Sequence, residues 1–256
     1  MASTWDPDQY LKFHGPRIRP ALDLLAQADV DDPETVYDLG CGPGNVTGFI
    51  QQRWPAADVI GVDASETMLA QARDLHPDKT WIQADLVDWA PDAMADVFYS
   101  NAVFQWLRDH DTLLPRLVAN VRAGGIFAFQ LPRNWTAPSH AIINDLVAAG
   151  PHRAQLEPLL LRDPVGPPDY YYGLLRPHVR AIDIWETEYL QILDGKNAVA
   201  EWTKGSVLKP LLDALADDAA AAFYDQYATY VASQYPQRPD GKTLYPFRRL
   251  FVVARR

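Results

Sequence analysis

Between Val36 and Asn45 the chain reads VYDLGCGPGN, a short apolar run, an aspartate and then three glycines with one residue between each pair. Gly40, Gly42 and Gly44 directly follow a strand-like run and precede a helix expected to begin near Asn45. Glycine there lets the backbone take dihedral angles closed to other residues and come close to a neighbouring group. The turn joins a β period to an α period, and the same alternation continues downstream. TVYDLG, DVIGVD, TWIQAD, DVFYSN and GIFAFQLP read as five successive strands between about Thr35 and Leu131, separated by amphipathic stretches. That pattern specifies a parallel sheet covered by helices, a doubly wound Rossmann-like α/β fold.

The flanking segments complete the plan. SETMLAQARDL carries Ser65 as N-cap and Glu66 in the first turn, and places Met68, Leu69, Ala72 and Leu75 on one helical face. GPRIRPALDLLAQA reads as a helix leading into the first strand, with Pro16 and Pro20 confined to its entry. From Pro132 to Pro177 the chain is rich in Pro, Tyr and Trp. RAIDIWETEYLQIL then resumes a strand pattern, a long helical stretch runs from Ala198 to Tyr235, and LYPFRRLFVVARR reads as an antiparallel final strand closing the sheet's edge. The expected organisation is a single domain over 1–256, with a core of about 30–132 plus strands near 180–193 and 244–254. A helical cap is expected from 1–29, 133–179 and 195–243.

Charge and composition narrow the partners. A formal net charge of -10 repels polyphosphate, and no Lys/Arg run supplies a local basic patch, so nucleic acid is not an expected partner. The single cysteine, Cys41, cannot form an internal disulfide. The opening MASTWDPDQYLKF has neither the basic start nor the apolar core of a secretory signal, and nothing approaches the roughly 18 apolar residues of a membrane span. A cytoplasmic protein with no membrane partner is expected. A monomer is compatible with the sequence, and nothing in it specifies an oligomer.

The glycines alone leave two readings open: a bare strand-to-helix turn, or a turn that brings backbone against a ligand. A dinucleotide fingerprint would be G-x-G-x-x-G, whereas here the third glycine arrives one residue early and Asn45 stands where that pattern wants glycine. Two aspartates favour the ligand. Asp63 ends the second strand, where a doubly wound fold presents a carboxylate to the vicinal hydroxyls of a ribose. Asp85 ends the third strand, placed to accept from an exocyclic amine of adenine, with Leu86 and Met68 as apolar neighbours of the ring. Ligand sites of open parallel sheets lie at the carboxyl ends of strands, and here three consecutive strand ends carry such groups.

With DLGCGPG, GVDAS, QADL and SNAVFQWL in hand, the chain resembles the class I S-adenosylmethionine-dependent methyltransferases. The resemblance implies S-adenosyl-L-methionine as cofactor. Gly40 and Gly42, with Asp38 and Asn45 around them, would wrap its methionine part, Asp63 and Ala64 would hold the ribose, and Met68, Asp85 and Leu86 the adenine. Asn101 would face the cofactor's amino acid and the substrate, and Arg19 the cofactor's carboxylate, with Arg17 as its neighbour in that role. Segments outside this core, WDPDQYLKFHGPRIRPALDLL, PRNW, EWTKGSVLKPLLDAL and RLFVVARR, are similar to members of the family that methylate a carboxylate of trans-aconitate. That similarity implies a small polycarboxylic acid as substrate.

A carboxylate is already ionised at neutral pH, so its methylation needs alignment and a dry site but no general base. No catalytic acid or base and no metal are therefore expected. The substrate's carboxylates require cations in an acidic protein. Candidates are Arg133, His140, Lys204, Lys209, Arg248 and Arg249, with Arg249 foremost because a charge inside the apolar run PFRRLFVV is hard to leave unpaired. Tyr10, Phe13, Trp135, Tyr171 and Trp202 are candidates to wall the site. Cys41 reads as a small filler of the loop. Other readings of the same residues are an O-methyltransferase for another small acid or an acyl carrier thioester, and a non-catalytic cofactor-binding protein. His140 keeps open a base-assisted variant of the chemistry.

Overall fold

The structure, a computed structural model, describes residues 14–160 and 165–256. Its strands are β1 (Thr35–Leu39), β2 (Asp58–Asp63), β3 (Thr80–Gln83), β4 (Ala95–Asn101), β5 (Val121–Pro132), β6 (Ala181–Asp194) and β7 (Lys242–Arg255). They form one seven-stranded sheet in the order β3-β2-β1-β4-β5-β7-β6. β1 pairs in parallel with both β2 and β4, β2 with β3, and β4 with β5, whereas β7 runs antiparallel to β5. The final strand is thus antiparallel as expected, but it does not close the edge: β6 lies outside it. The chain order reverses between β1 and β4, the point at which open parallel sheets keep their ligand crevice.

The helices are α1 (His14–Gln27), α2 (Thr47–Arg53), α3 (Glu66–Leu75), α4 (His110–Ala119), α5 (Pro138–Ala149), α6 (Arg153–Leu156), α7 (Pro168–Leu175), α8 (Ala198–Lys204), α9 (Lys209–Asp213) and α10 (Asp217–Gln234). Ser65 caps α3 by accepting from the Met68 N–H at 3.4 Å. Met68, Leu69 and Ala72 are buried as the periodicity predicts, while Leu75, in the last turn, is exposed. Pro20 lies inside α1 rather than at its entry. The long helical stretch expected from Ala198 is three helices; Gly205 ends the first and Pro210 lies in the opening turn of the second.

The chain divides into two compact units. The sheet unit comprises Ile18–Pro132, 165–187 and Arg249–Arg256, and the second, mostly helical unit comprises 133–160 and Glu188–Arg248. In the sheet unit the centre is apolar on both faces, with Val36, Leu39, Val62, Val97, Phe98, Phe127 and Phe129 essentially inaccessible. In the second unit α5, α8 and α10 bury Ile143, Trp202, Tyr227 and Tyr245. The polar groups buried there satisfy one another: Tyr227 donates from its hydroxyl to the Ser139 carbonyl at 2.8 Å, and the Thr203 and Tyr227 hydroxyls lie 2.9 Å apart.

One close approach between neighbouring strands leaves no room for a side chain on β2. Gly61 is the fourth residue of β2, and a Cβ there would stand 2.3 Å from Cε3 and Cζ3 of Trp81 and 2.9 Å from Sγ of Cys41. The indole cannot swing away freely, because its N–H donates to the His76 carbonyl at 3.2 Å and its ring stacks on His76. Gly61→Ala is therefore expected to cost about 1–3 kcal/mol of overpacking. Urea unfolding checks this, and an unchanged midpoint would refute the packing account.

Candidate functional site

The site begins with the turn after β1. Gly40, Gly42 and Gly44 have φ of 69°, 55° and 80°, the left-handed region that other residues rarely enter. Gly40 donates to the Val62 carbonyl at 2.7 Å, and a Cβ on it would collide with Val103 at 2.3 Å. Gly42 differs: a Cβ there would meet nothing within 4 Å, so its backbone borders open space. Its N–H donates to Asp63 Oδ2 at 2.9 Å, while Ser65 N–H donates to Asp63 Oδ1 at 2.8 Å. Each carboxylate oxygen of Asp63 thus keeps a lone pair for a further donor. Ala64 beside it is exposed and Asn45 is half-buried in the turn.

Asp38, one residue before the end of β1, is buried and accepts from the Thr47 hydroxyl at 2.7 Å. Burial pushes its carboxyl up to about 7; the Thr47 hydrogen bond opposes the shift and Asp63 adds to it. Burial, with help from Asp38 and Asp63, also raises the Cys41 thiol far above its ordinary value, so this cysteine stays protonated and unreactive.

At the end of β3, Asp85 is exposed and accepts at Oδ1 from the Val87 N–H at 2.9 Å. Leu86 and Met68 are buried. The loop is held from α4: Arg116 donates to the carbonyls of Leu86 and Val87, both at 2.7 Å, and of Trp89 at 2.5 Å. One guanidinium thereby satisfies three carbonyls of a segment without regular structure. At the end of β4, Ser100 donates to the Leu39 carbonyl at 2.9 Å and Asn101 accepts at Oδ1 from Gln130 Nε2. Arg249, buried, donates to Gln130 Oε1 at 2.9 Å. Asp38, Gly40, Gly42, Asp63, Asp85 and Asn101 all therefore stand at the carboxyl ends of the sheet unit's parallel strands.

The remaining candidates are distributed otherwise. Tyr171, on α7 of the sheet unit, is fully buried with its hydroxyl 3.1 Å from His110 Nδ1. Arg19, on α1, is exposed and lies 3.9 Å from Asp23. In the second unit Trp202 packs into the core against Tyr245 and Phe247, Lys209 pairs with Asp213 at 2.9 Å, Lys204 lies over the Tyr224 ring, and Arg248 faces Glu188 at 3.8 Å. Arg133 donates its N–H to the Arg248 carbonyl at 2.9 Å. Trp135 and His140 line one cavity of about 460 Å³ in that unit, together with Asn144, Arg153, Glu157 and Leu160. Burial pushes the His140 imidazole down to about 4, so it is neutral at pH 7 and acts there as a polar group, not a cation. Tyr10 and Phe13 lie outside the described residues, and the structure says nothing of the Arg17 side chain.

Sequence reasoning missed Thr47, Arg116 and Gln130. Gln130 had a readable signal, a lone amide inside the apolar strand IFAFQLP that burial obliges to find partners. Thr47 and Arg116 had none, since their partners are set by chain crossings. Among the described residues no cluster of three or more His, Cys, Asp or Glu suits a metal, and no helix is long and apolar enough to cross a membrane.

Comparison with known proteins adds to this geometry. Residues 36–125 match the model of a methyltransferase domain. The chain is 47% identical over 251 residues to the trans-aconitate 2-methyltransferase of Azoarcus sp. (strain BH72) and 45% identical over 251 residues to that of Rhodopseudomonas palustris (strain BisB18), covering 98% of this chain and of each relative. Its fold is similar to that of phosphoethanolamine N-methyltransferase 2 of Haemonchus contortus, solved with phosphomonomethylethanolamine and S-adenosylhomocysteine. There the TM-score is 0.56 at 14% identity, over 93% of this chain and 52% of that one.

The Asp38 environment makes a pH prediction. The folded carboxyl titrates near 7, the unfolded one near the ordinary value of about 4. Between those values the folded state holds a proton that the unfolded state has released. The Asp38 contribution to stability is therefore fully present below about pH 4 and is lost as pH rises to about 7. Relative to Asp38→Asn, which keeps an acceptor for Thr47 but cannot ionise, the wild type should lose stability across that window and then level off. Urea unfolding of both proteins at a series of pH values checks this, and a pH-independent difference would refute it.

Proposed function

The chain belongs to the trans-aconitate 2-methyltransferase family, and from that premise we propose that it transfers a methyl group from S-adenosylmethionine to one carboxylate of trans-aconitate, giving a monomethyl ester. The cofactor, when bound, supplies a methyl group on a sulfonium. One arrangement carries the cofactor reading: Asp63 ties down the N–H groups of Gly42 and Ser65 while keeping acceptor capacity, and the Gly42 backbone borders open space. A carboxylate so held loses little freedom when it accepts from a ribose diol. Asp85 retains Oδ2 for an exocyclic amine, and Leu86 and Met68 offer an apolar surface to a purine. Gly40 supplies the turn's conformation and Asp38 its buried support.

The chemistry follows from what the substrate already provides. An ionised carboxylate attacks without a general base, so the residues' task is to bind, align and exclude water. A neutral His140 agrees with this, since an imidazole with a pKa of about 4 is a poor proton acceptor. Within the sheet unit, Arg249 with its partner Gln130 is assigned to a substrate carboxylate. Ester formation at a small polycarboxylate is also the activity for which the segments outside residues 36–125 argue, because the similarity to the named relatives spans 98% of the chain.

Two outcomes are expected. Asp63→Ala should weaken S-adenosylhomocysteine binding by about tenfold or more, given charge-assisted hydrogen bonds of roughly 1.5–3 kcal/mol each. Calorimetry on a variant with wild-type circular dichroism reads this, and an unchanged affinity would remove Asp63 from the cofactor site. With the wild type, mass spectrometry should show a singly methylated ester from trans-aconitate, formed with higher kcat/KM than methylation of a monocarboxylate or a catechol. Faster methylation of either alternative would replace the polycarboxylate assignment with a broader O-methyltransferase.

A further inference from the structure

The cofactor and substrate roles above assign Asn101 a place but not a polarity. An asparagine amide can offer either its oxygen, an acceptor suited to an ammonium or hydroxyl, or its NH2, a donor suited to an anionic oxygen. The hydrogen-bond chain behind it decides between them. Arg249 carries donors only, so the Gln130 atom it meets at 2.9 Å has to be Oε1. Gln130 is fully buried and its Nε2 is therefore the atom left for Asn101, which must answer with Oδ1. Reversing either amide would set donor against donor at the fully buried Gln130. The register supports the contact: Asn101 and Gln130 are paired positions of β4 and β5, and Gln130 lies two residues before Pro132, the partner of Arg249 on β7. Among the described residues Asn101 Nδ2 has no partner, and Asn101 is only partly buried.

We propose that Arg249 and Gln130 act as positioning residues that lock the Asn101 amide with its NH2 as the open donor, making the end of β4 a receptor for a carboxylate oxygen. The inference rests on the methyl-transfer reading, which provides two sources of that carboxylate: the acid substrate and the amino-acid part of the cofactor. It also assigns a specificity. A methyltransferase acting on amines or phenols gains from an acceptor at its nucleophile's N–H or O–H, whereas this strand end presents a donor and favours an anionic oxygen over a protonated amine.

Gln130→Glu tests the lock without touching the ligand. Beside the Arg249 guanidinium the new carboxyl is ionised, and its second oxygen can only accept. Asn101 must then rotate to donate NH2 inward, leaving Oδ1 outward. If the carboxylate is the substrate's, KM for trans-aconitate should rise at least about tenfold while S-adenosylhomocysteine binding is unchanged. If it is the cofactor's, affinity for S-adenosylhomocysteine should fall by a similar factor, while that for 5′-methylthioadenosine, which lacks the amino-acid part, should not. Asn101→Asp is a second variant in case Gln130→Glu does not fold; it keeps the acceptor for Gln130 and points a second anionic oxygen outward, and it should show the same selective loss. A folded variant with wild-type KM, wild-type S-adenosylhomocysteine affinity and wild-type affinity for 5′-methylthioadenosine would overturn the proposal, as would equal weakening of both nucleosides. Wild-type protein that forms no ester from trans-aconitate would refute the substrate reading instead, and the two nucleoside affinities remain measurable without turnover.

Discussion

Two backbone N–H groups, those of Gly42 and Ser65, depend on the single carboxylate of Asp63. The first belongs to the turn after β1 and the second to the start of α3, so one side chain sets the spacing of two chain segments at the ends of neighbouring strands. Unsatisfied, each N–H would cost roughly 1–3 kcal/mol wherever it is shielded from water. The glycine turn can accept this tie only because its residues reach positive φ, and Gly40 adds a second reason, the Val103 side chain standing where a Cβ would be. One carboxylate thus ties the turn after β1 to the end of β2 and the start of α3.

The other polar groups near these strand ends are likewise each anchored by a neighbour. Asp38 has Thr47, Asp85 has Val87, Asn101 has Gln130 and Gln130 has Arg249. Arg116 does this for a whole loop, spending one guanidinium on three carbonyls. Burial simultaneously drives titratable groups toward their neutral forms: Asp38 upward and the Cys41 thiol upward. Strand ends built this way offer fixed dipoles and charges anchored in place. That suits a displacement whose nucleophile arrives already ionised, because alignment and dryness then supply the rate.

The alternation of strand and helix, the glycine turn, the two strand-end aspartates and the Ser65 cap were all legible in the chain, because each depends on local periodicity or on a residue's own backbone preference. The errors lie where non-local packing intervenes. LYPFRRLFVVARR reads as an edge strand, yet β6 covers it, since nothing local tells a strand how many neighbours it will have. Trp202 and Tyr171 are buried in their units, and their aromatic character alone does not tell a pocket wall from a core. Leu75 fits the apolar stripe of α3 and is nonetheless exposed in its final turn.

Arg249 marks the boundary between the two kinds of information. That an arginine inside an apolar strand must find a partner follows from the chain alone, since a buried guanidinium left alone is too costly. That the partner is Gln130, and that Gln130 in turn orients Asn101, depends on β4, β5 and β7 lying side by side with residues 101, 130 and 249 brought together across gaps of 29 and 119 positions. Residue types and short-range periods carry the need for a contact, whereas its identity is a property of strand register, which only the assembled sheet defines.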